Sequence, residues 1–168
     1  TATRDQAWLL TRVGQVWRAR GATLEPLFDV PGAIALAPLA TGDRVVVVGE
    51  GPPTIRARDG RVLTELAGLI DGVLDVAVSP DDRWIAAGTT AGTIEVWAVA
   101  DGRRVAHLRG HQARVAWVGF AADALWSAGW DGEVLRWDLR ALTASAEELI
   151  ADADAAWGLP PLRRDAAP

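Results

Sequence analysis

Five residue types are missing from the 168-residue chain: cysteine, methionine, lysine, asparagine and tyrosine. Without cysteine, disulfide bonds and thiolate metal sites are excluded. All 17 basic residues are arginine, and avoidance of amino acids with AT-rich codons indicates a GC-rich, bacterial genome. Because methionine is absent, the sequence does not show its own start, and we interpret it as a fragment of a longer polypeptide.

Long apolar runs and blocks of one charge are missing as well. No stretch approaches the roughly 18 apolar residues of a membrane span, so we expect no membrane partner. The net charge is −5, and without a basic block nucleic acid is a poor partner. Half of the residues are apolar, which disfavours disorder. We expect a folded, cytoplasmic protein.

The chain matches itself at a shift of about 40 residues. At a shift of 42, Leu24, Leu66 and Leu108 coincide, and at a shift of 40, Trp97 meets Trp137. Such a period, filled with short alternating strands, is typical of the four-stranded blades of a β-propeller. The sequence therefore predicts an all-β fold, a partial β-propeller of about three to four antiparallel blades with a short C-terminal helix.

The period also divides the chain into units. We predict a partial blade over residues 1–32, a diverged blade over 33–72, a blade over 73–110, a last blade over 111–142, a tail helix over 143–158 and a flexible tail over 159–168. The helix follows from a capping box, Ser145 to Glu148. We expect it to pack on the last blade; a docking role for a partner is the alternative.

The predicted strands leave two sheet borders unpaired. They cover residues 7–11, 15–18, 24–28, 34–37, 45–48, 54–58, 62–66, 73–79, 84–88, 93–99, 104–108, 114–120, 124–128 and 133–139. The first unit then lacks its inner strand and the last lacks its outer one, and bare strand edges are sticky. We predict a C-terminal half of a larger propeller, completed by its remaining half from the same polypeptide or a cleaved fragment. A homodimer of half-rings is a less favoured route to closure.

The last repeat carries the most specific motif. It runs from Arg-Gly-His at residues 109–111, through an alternating apolar run, to Trp-Asp-Gly at 130–132 and Arg-Trp-Asp at 136–138. With these residues the chain resembles the WD-repeat family over about residues 34–139. Together with the tail helix, it also resembles C-terminal propellers of large bacterial signalling proteins.

The resemblance implies a structural tetrad of His111, Ser127, Asp131 and Trp137. In such a blade the carboxylate accepts from the imidazole, the imidazole bonds the hydroxyl, and the hydroxyl accepts from the indole N–H. Each buried polar group then has a partner. The preceding blade departs from the pattern and keeps only Trp97, so we expect it to rely on apolar packing and ladder hydrogen bonds.

The tetrad also contains the residue types of a Ser-His-Asp hydrolase triad. A triad needs an exposed nucleophile, an oxyanion hole and a cleft, whereas these groups are expected in a packed interior. We therefore predict no catalytic residues. With two histidines and no cysteine, no metal site and no cofactor are predicted. His107 is interpreted as a surface or edge residue.

Three residues are candidates for contact with a partner. Trp130 precedes Asp131 in a turn, and Arg114 and Trp117 approach the same rim from the inner strand. Tryptophan and arginine are enriched in interface hot spots. The sequence thus predicts a non-catalytic interaction module, a scaffold or sensor of a larger bacterial signalling or effector protein, which binds a protein or peptide.

Two other readings stay open at this point. The first is an enzyme on a propeller scaffold, for which Asp75, Asp81 and Asp82 are the nearest candidate carboxylates; they are interpreted as turn and loop residues. The second is a purely structural half-ring that completes a larger assembly.

Overall fold

The computed structural model describes residues 6–68, 72–121 and 124–139. Each secondary-structure element in these ranges is a strand. The strands are β1 Gln6–Leu10, β2 Gln15–Arg20, β3 Thr23–Asp29, β4 Ala35–Pro38, β5 Arg44–Val48, β6 Thr54–Ala57, β7 Val62–Glu65, β8 Val73–Val78, β9 Trp84–Thr89, β10 Thr93–Ala98, β11 Arg104–Arg109, β12 Val115–Ala121, β13 Ala124–Gly129 and β14 Val134–Asp138.

The strands form four antiparallel sheets that resemble propeller blades. Their orders are β1-β2-β3, β4-β5-β6-β7, β8-β9-β10-β11 and β12-β13-β14. Neighbours in each sheet are neighbours in sequence, and the innermost strands β4, β8 and β12 lie against one another in that order. The all-β expectation is confirmed, and every predicted strand ends within two residues of an observed one. The predicted tail helix and flexible tail lie outside the described residues.

The second strand of each four-stranded blade is buried on both of its faces. Val45–Val48 in β5 and Ile85–Ala87 in β9 are all buried. Alternate residues of these strands serve different cores: Val46 packs between the second and third sheets, whereas Val45 packs toward the first. Side chains of a strand alternate between faces, so one continuous apolar run joins two inter-blade cores.

The turn that joins β1 to β2 has the same hydrogen bonds as the turn that joins β9 to β10. The Thr11 Oγ1 atom accepts from the Gln15 amide at 3.0 Å, and the Thr89 Oγ1 atom accepts from the Thr93 amide at 3.2 Å. β1 also lies against β4 as β9 lies against β12. These matches make β1 the counterpart of a second strand.

Glycines in these two turns touch the backbone of the next inter-blade loop. Gly14 has φ +83°, and a Cβ there would lie 2.2 Å from the Val30 carbonyl oxygen. Gly92 has φ +81°, and a Cβ there would lie 2.7 Å from the Ala113 carbonyl oxygen. Both positions thus require glycine for its backbone angle and for the close approach of adjacent blades.

We expect Gly14→Ala to destabilise the fold more than Gly21→Ala. Both glycines lie in turns of the first sheet with positive φ, but a Cβ on Gly21 would meet no atom within 4 Å. Backbone strain costs each variant about 1–2 kcal/mol, and only Gly14→Ala adds a backbone clash. Urea denaturation of both variants measures the difference; equal losses of unfolding free energy would contradict the close packing.

Candidate functional site

Four side chains of the last sheet form one continuous hydrogen-bonded chain. His111 lies in the loop between β11 and β12, Ser127 in β13, Asp131 in the following turn and Trp137 in β14. The His111 Nδ1 atom lies 3.0 and 3.1 Å from the Asp131 carboxylate oxygens. The His111 Nε2 atom lies 2.8 Å from Ser127 Oγ, and the Trp137 Nε1–H donates to the same oxygen at 2.8 Å. The structure thus brings all four predicted tetrad residues together.

One arrangement of protons satisfies every hydrogen bond between these four side chains. The indole N–H of Trp137 donates to Ser127, whose hydroxyl donates to the His111 Nε2 atom. The proton of the imidazole then sits on Nδ1 and points to Asp131. Ser127 and the His111 side chain are buried, and buried polar groups need such partners because water cannot supply them.

The carboxylate of Asp131 ends this chain and also caps the surrounding backbone. It accepts from the Gln112 amide at 2.8 Å and from the Glu133 amide at 3.1 Å. Burial acts to raise the pKa of Asp131, but the amides of Glu133 and Gln112 and the imidazole of His111 outweigh it, and the pKa lies below its ordinary value. The ionised form is therefore the one that the fold stabilises.

This set cannot act as a hydrolase triad. The Ser127 hydroxyl is fully buried and lies against both the imidazole and the indole N–H. A nucleophile must reach its substrate, and substrate could reach this oxygen only if the blade opened. The four side chains therefore join the strands of the blade by hydrogen bonds and do not form a reacting centre.

In the preceding blade another group accepts the hydrogen bond of the buried indole N–H. The Trp97 indole N–H donates to the Ala67 carbonyl oxygen at 2.9 Å, so a main-chain acceptor stands in for the serine. The expectation that this blade relies on apolar packing and ladder hydrogen bonds did not include this bond.

A buried carboxylate in the same blade was missed by sequence reasoning. Glu95 is 2% exposed and binds Arg104 at 3.1 Å and His107 Nδ1 at 2.5 Å. His107 does lie on the outermost strand of its sheet, but it is half-buried and bonded. The available signal was a glutamate flanked by Ile94 and Val96 in a strand whose other residues after Thr93 are apolar.

The carboxylates considered for an enzyme are bonded within the fold. Asp75 lies in β8 and not in a loop, which corrects the interpretation from sequence, and its Oδ2 atom accepts from the Val118 amide at 2.9 Å. Asp81 bonds the Ser79 hydroxyl at 2.6 Å, and Asp82 accepts from the Ala40 amide at 2.6 Å. Across residues 6–68, 72–121 and 124–139, no three potential metal ligands cluster.

The structure brings two of the three predicted contact residues together. The guanidinium carbon of Arg114 lies 4.6 Å from the centre of the Trp130 ring, within the range of a cation–π interaction. The Trp130 amide also donates to the Arg114 carbonyl at 2.9 Å. Trp130 is 69% exposed and Arg114 is exposed as well.

Trp117 occupies a different place from the other two. It is 49% exposed, and its ring lies so close to Gly119 that a Cβ there would come within 2.4 Å of it. It lines a cavity of about 300 Å³ between the inner strands β4, β8 and β12. Trp117 therefore belongs to the surface of the inner strands, and Arg114 and Trp130 form the rim.

Comparison with known families assigns the repeat. Residues 60–98 match the WD domain, G-beta repeat. This stretch is similar to a WD40 repeat, the repeat unit of WD40 β-propellers. WD40 propellers bind proteins and typically serve as interaction scaffolds, and WD40 repeats are usually non-catalytic. In the part of the chain that the structure describes, no helix is long and apolar enough to cross a membrane.

Curated relatives are similar to part of the chain. It is 32% identical over 83 residues to Autophagy-related protein 16 of Arabidopsis thaliana and 35% identical over 80 residues to Meiotic fizzy-related protein 1 of Schizosaccharomyces pombe. Each match covers 48% of this chain, but only 16% and 19% of those relatives.

Solved structures share the fold. The computationally designed Ika4 protein aligns with a TM-score of 0.66 and 21% identity, over 82% of this chain and 87% of Ika4. The designed Ika8 protein aligns with a TM-score of 0.67 and 22% identity, over 82% of this chain and 44% of Ika8. At these identities the likeness is one of fold.

We expect Ser127→Ala to lower the free energy of unfolding by about 2–4 kcal/mol, because His111 and Trp137 both lose a buried partner. Chemical denaturation measures the loss. In a Trp137→Phe background the same substitution should cost less, because no indole N–H is then left unpaired. Strictly additive losses in the double-mutant cycle would contradict a shared hydroxyl.

The lowered pKa of Asp131 predicts an acid-sensitive stability. A carboxyl whose pKa is lower in the folded chain stabilises the fold above its unfolded pKa, near pH 4, and the contribution is lost as the pH falls through the folded pKa. Glu25 and Asp81 also have lowered pKa values, so Asp131→Asn should flatten the acid limb in part. Unfolding measured from neutral pH to pH 3 gives both curves; parallel curves would refute the assignment.

Proposed function

We propose that this chain is a non-catalytic protein-interaction module, of the scaffold or sensor type, and that Arg114 and Trp130 contact a protein or peptide partner. One observation carries the proposal: a large aromatic side chain stands 69% exposed with a cation over its ring. Exposed tryptophan gains free energy when an interface buries it, and Trp and Arg are frequent hot spots.

Hydrogen bonds of the turn between β13 and β14 hold the rim residues Arg114 and Trp130 in one conformation. Trp130 is bonded through its amide to Arg114 and is followed directly by Asp131, whose carboxylate binds His111. The Gly132 amide donates to the Gly129 carbonyl at 3.2 Å and closes the turn. A preformed rim loses little conformational entropy on binding, and this loss is a main cost of association.

The proposal extends to the setting of the module. The absence of lysine, asparagine and other residues with AT-rich codons supports a bacterial source, and we place the module in the cytoplasm, within a larger signalling or effector protein. We propose units over residues 1–32, 33–72, 73–110 and 111–142 as successive blades of a C-terminal half-propeller. Within residues 6–68, 72–121 and 124–139 the first and last sheets have three strands each, and this supports completion by the remaining half of the ring.

We expect Trp130→Ala and Arg114→Ala each to weaken partner binding about tenfold or more while the thermal midpoint stays nearly unchanged, because both side chains are exposed. A photo-reactive amino acid at position 133 of the full-length protein, an exposed neighbour of the rim that leaves Trp130 in place, first identifies the partner, and titration then measures the dissociation constants. Leu24→Ala is the matched control, since Leu24 is 55% exposed on β3. Wild-type affinity in both rim variants would refute contact through Arg114 and Trp130, and failure to capture any partner would support a purely structural role instead.

A further inference from the structure

Asp75 and Trp117 occupy equivalent positions on two neighbouring inner strands. The register of β8 shifts between Val73 and Asp75, and the register of β12 shifts between Val115 and Trp117, so a β-bulge directly precedes each of the two side chains. Bulges re-aim side chains and are frequent beside functional sites. Both residues line the cavity of about 300 Å³ between β4, β8 and β12. The two bulges thus bring a carboxylate and an indole to one cavity.

A hydrogen bond holds the carboxylate close to the indole. The Asp75 Oδ2 atom accepts from the Val118 amide at 2.9 Å, and Val118 directly follows Trp117 in β12. The Trp117 ring lies against Gly119, where a Cβ would come within 2.4 Å of it. The carboxylate and the ring therefore meet at one residue of β12, and the glycine leaves the room that the ring occupies.

The other oxygen of this carboxylate is left for a ligand. Among the described residues, the bond from Val118 is the one hydrogen bond of Asp75, and no ion pair joins it to Arg12 in the neighbouring cavity that both line. Asp75 is also the one acidic or basic side chain among the described residues that line the 300 Å³ cavity. Trp117 is 49% exposed, and the face of an indole attracts cations. Charge complementarity therefore favours a cationic ligand.

The shape of the acceptors favours a guanidinium over an ammonium group. β8 pairs with β9 and β12 pairs with β13, and within the described part of the chain the opposite edges of β8 and β12 present unpaired main-chain carbonyls to the cavity. A guanidinium carries five N–H donors in one plane, which can reach a carboxylate and carbonyls while the plane stacks on a ring. An ammonium is a compact, strongly hydrated charge.

We propose that this cavity binds the guanidinium group of an arginine side chain from a polypeptide partner. The Asp75 Oδ1 atom accepts from the guanidinium, the Trp117 ring stacks on its plane, and apolar residues cover its methylene stem. These apolar residues include Pro38, Ala77 and Phe120. A volume of about 300 Å³ is at the lower end for ligand pockets and suits one long side chain. The polypeptide source rests on the proposed interaction function, whereas the affinity for a guanidinium does not.

Blocked arginine tests the cavity before the partner is known. The probe is Nα-acetyl-arginine amide, and the control is Nα-acetyl-citrulline amide, which keeps the shape and loses the charge. The full-length protein is labelled with fluorotryptophan, and the fluorine resonance that Trp117→Phe removes reports on position 117. We expect the arginine probe to shift this resonance with a dissociation constant of about 1 mM. The citrulline probe should bind at least about tenfold more weakly.

Variants assign the binding to the carboxylate and the ring. Asp75→Asn keeps an oxygen for the Val118 amide and removes the charge, so the fold is retained and the affinity should fall at least about fivefold. Trp117→Leu should lower the affinity about threefold or more, measured by saturation-transfer NMR of the probe. Asp101→Asn is the matched control, because Asp101 is an exposed carboxylate outside the cavity that also accepts from one amide, that of Arg103 at 3.0 Å. It should leave the affinity unchanged.

Each alternative has its own outcome in these titrations. Equal binding of the citrulline probe, an unchanged affinity of Asp75→Asn or an unmoved resonance at position 117 would overturn the site. Equal affinity for Nα-acetyl-lysine amide would overturn the choice of a guanidinium. Free arginine that binds far more tightly than the blocked probe would overturn the polypeptide source. Contact of the rim with a partner is measured separately through Trp130→Ala, so failure of either proposal is recognisable.

Discussion

Burial of both faces of the middle strands is the constraint on which the structure depends. The valines of β5 and the apolar run of β9 have no face left for solvent, so each sheet must be covered by the sheet before it and the sheet after it. In that respect the fold is close to a repeat protein, whose stability is the sum of units and their interfaces. Among the described residues, the first and last sheets each have one neighbouring sheet in sequence order. They therefore meet this constraint in a different way from the two sheets between them.

Polar groups that enter these interfaces are satisfied by two different solutions. The last sheet uses a side-chain relay from Trp137 through Ser127 and His111 to a carboxylate. The third sheet gives the indole of Trp97 the carbonyl of Ala67 instead, in the loop between β7 and β8, and buries Glu95 against Arg104 and His107. The first solution joins side chains, and the carbonyl bond of the second ties a side chain of the blade to the main chain of the loop that precedes it.

The relay and the rim are parts of one turn, and this links stability to the proposed function. Asp131 holds the turn between β13 and β14 by its bond to His111. The adjacent Trp130 is exposed in the same turn, and the Arg114 guanidinium lies against its ring. A turn of this kind needs no moving part to present the proposed binding surface. In the proposed function, the rigid scaffold supplies preorganisation, and the exposed side chains supply the contact energy.

Strand positions and the repeat period could be read from the chain, because alternation, turn residues and short spacings are local properties. The four members of the tetrad followed from the resemblance of the last repeat to the WD-repeat family. Contacts between sheets could not be read in this way. The bond from the Val118 amide to the Asp75 carboxylate and the pairing of the Glu95 carboxylate with His107 were decided by residues of other strands or sheets. Alternation tells which side chains share a face of a strand, but only the stacking of sheets determines what lies against that face.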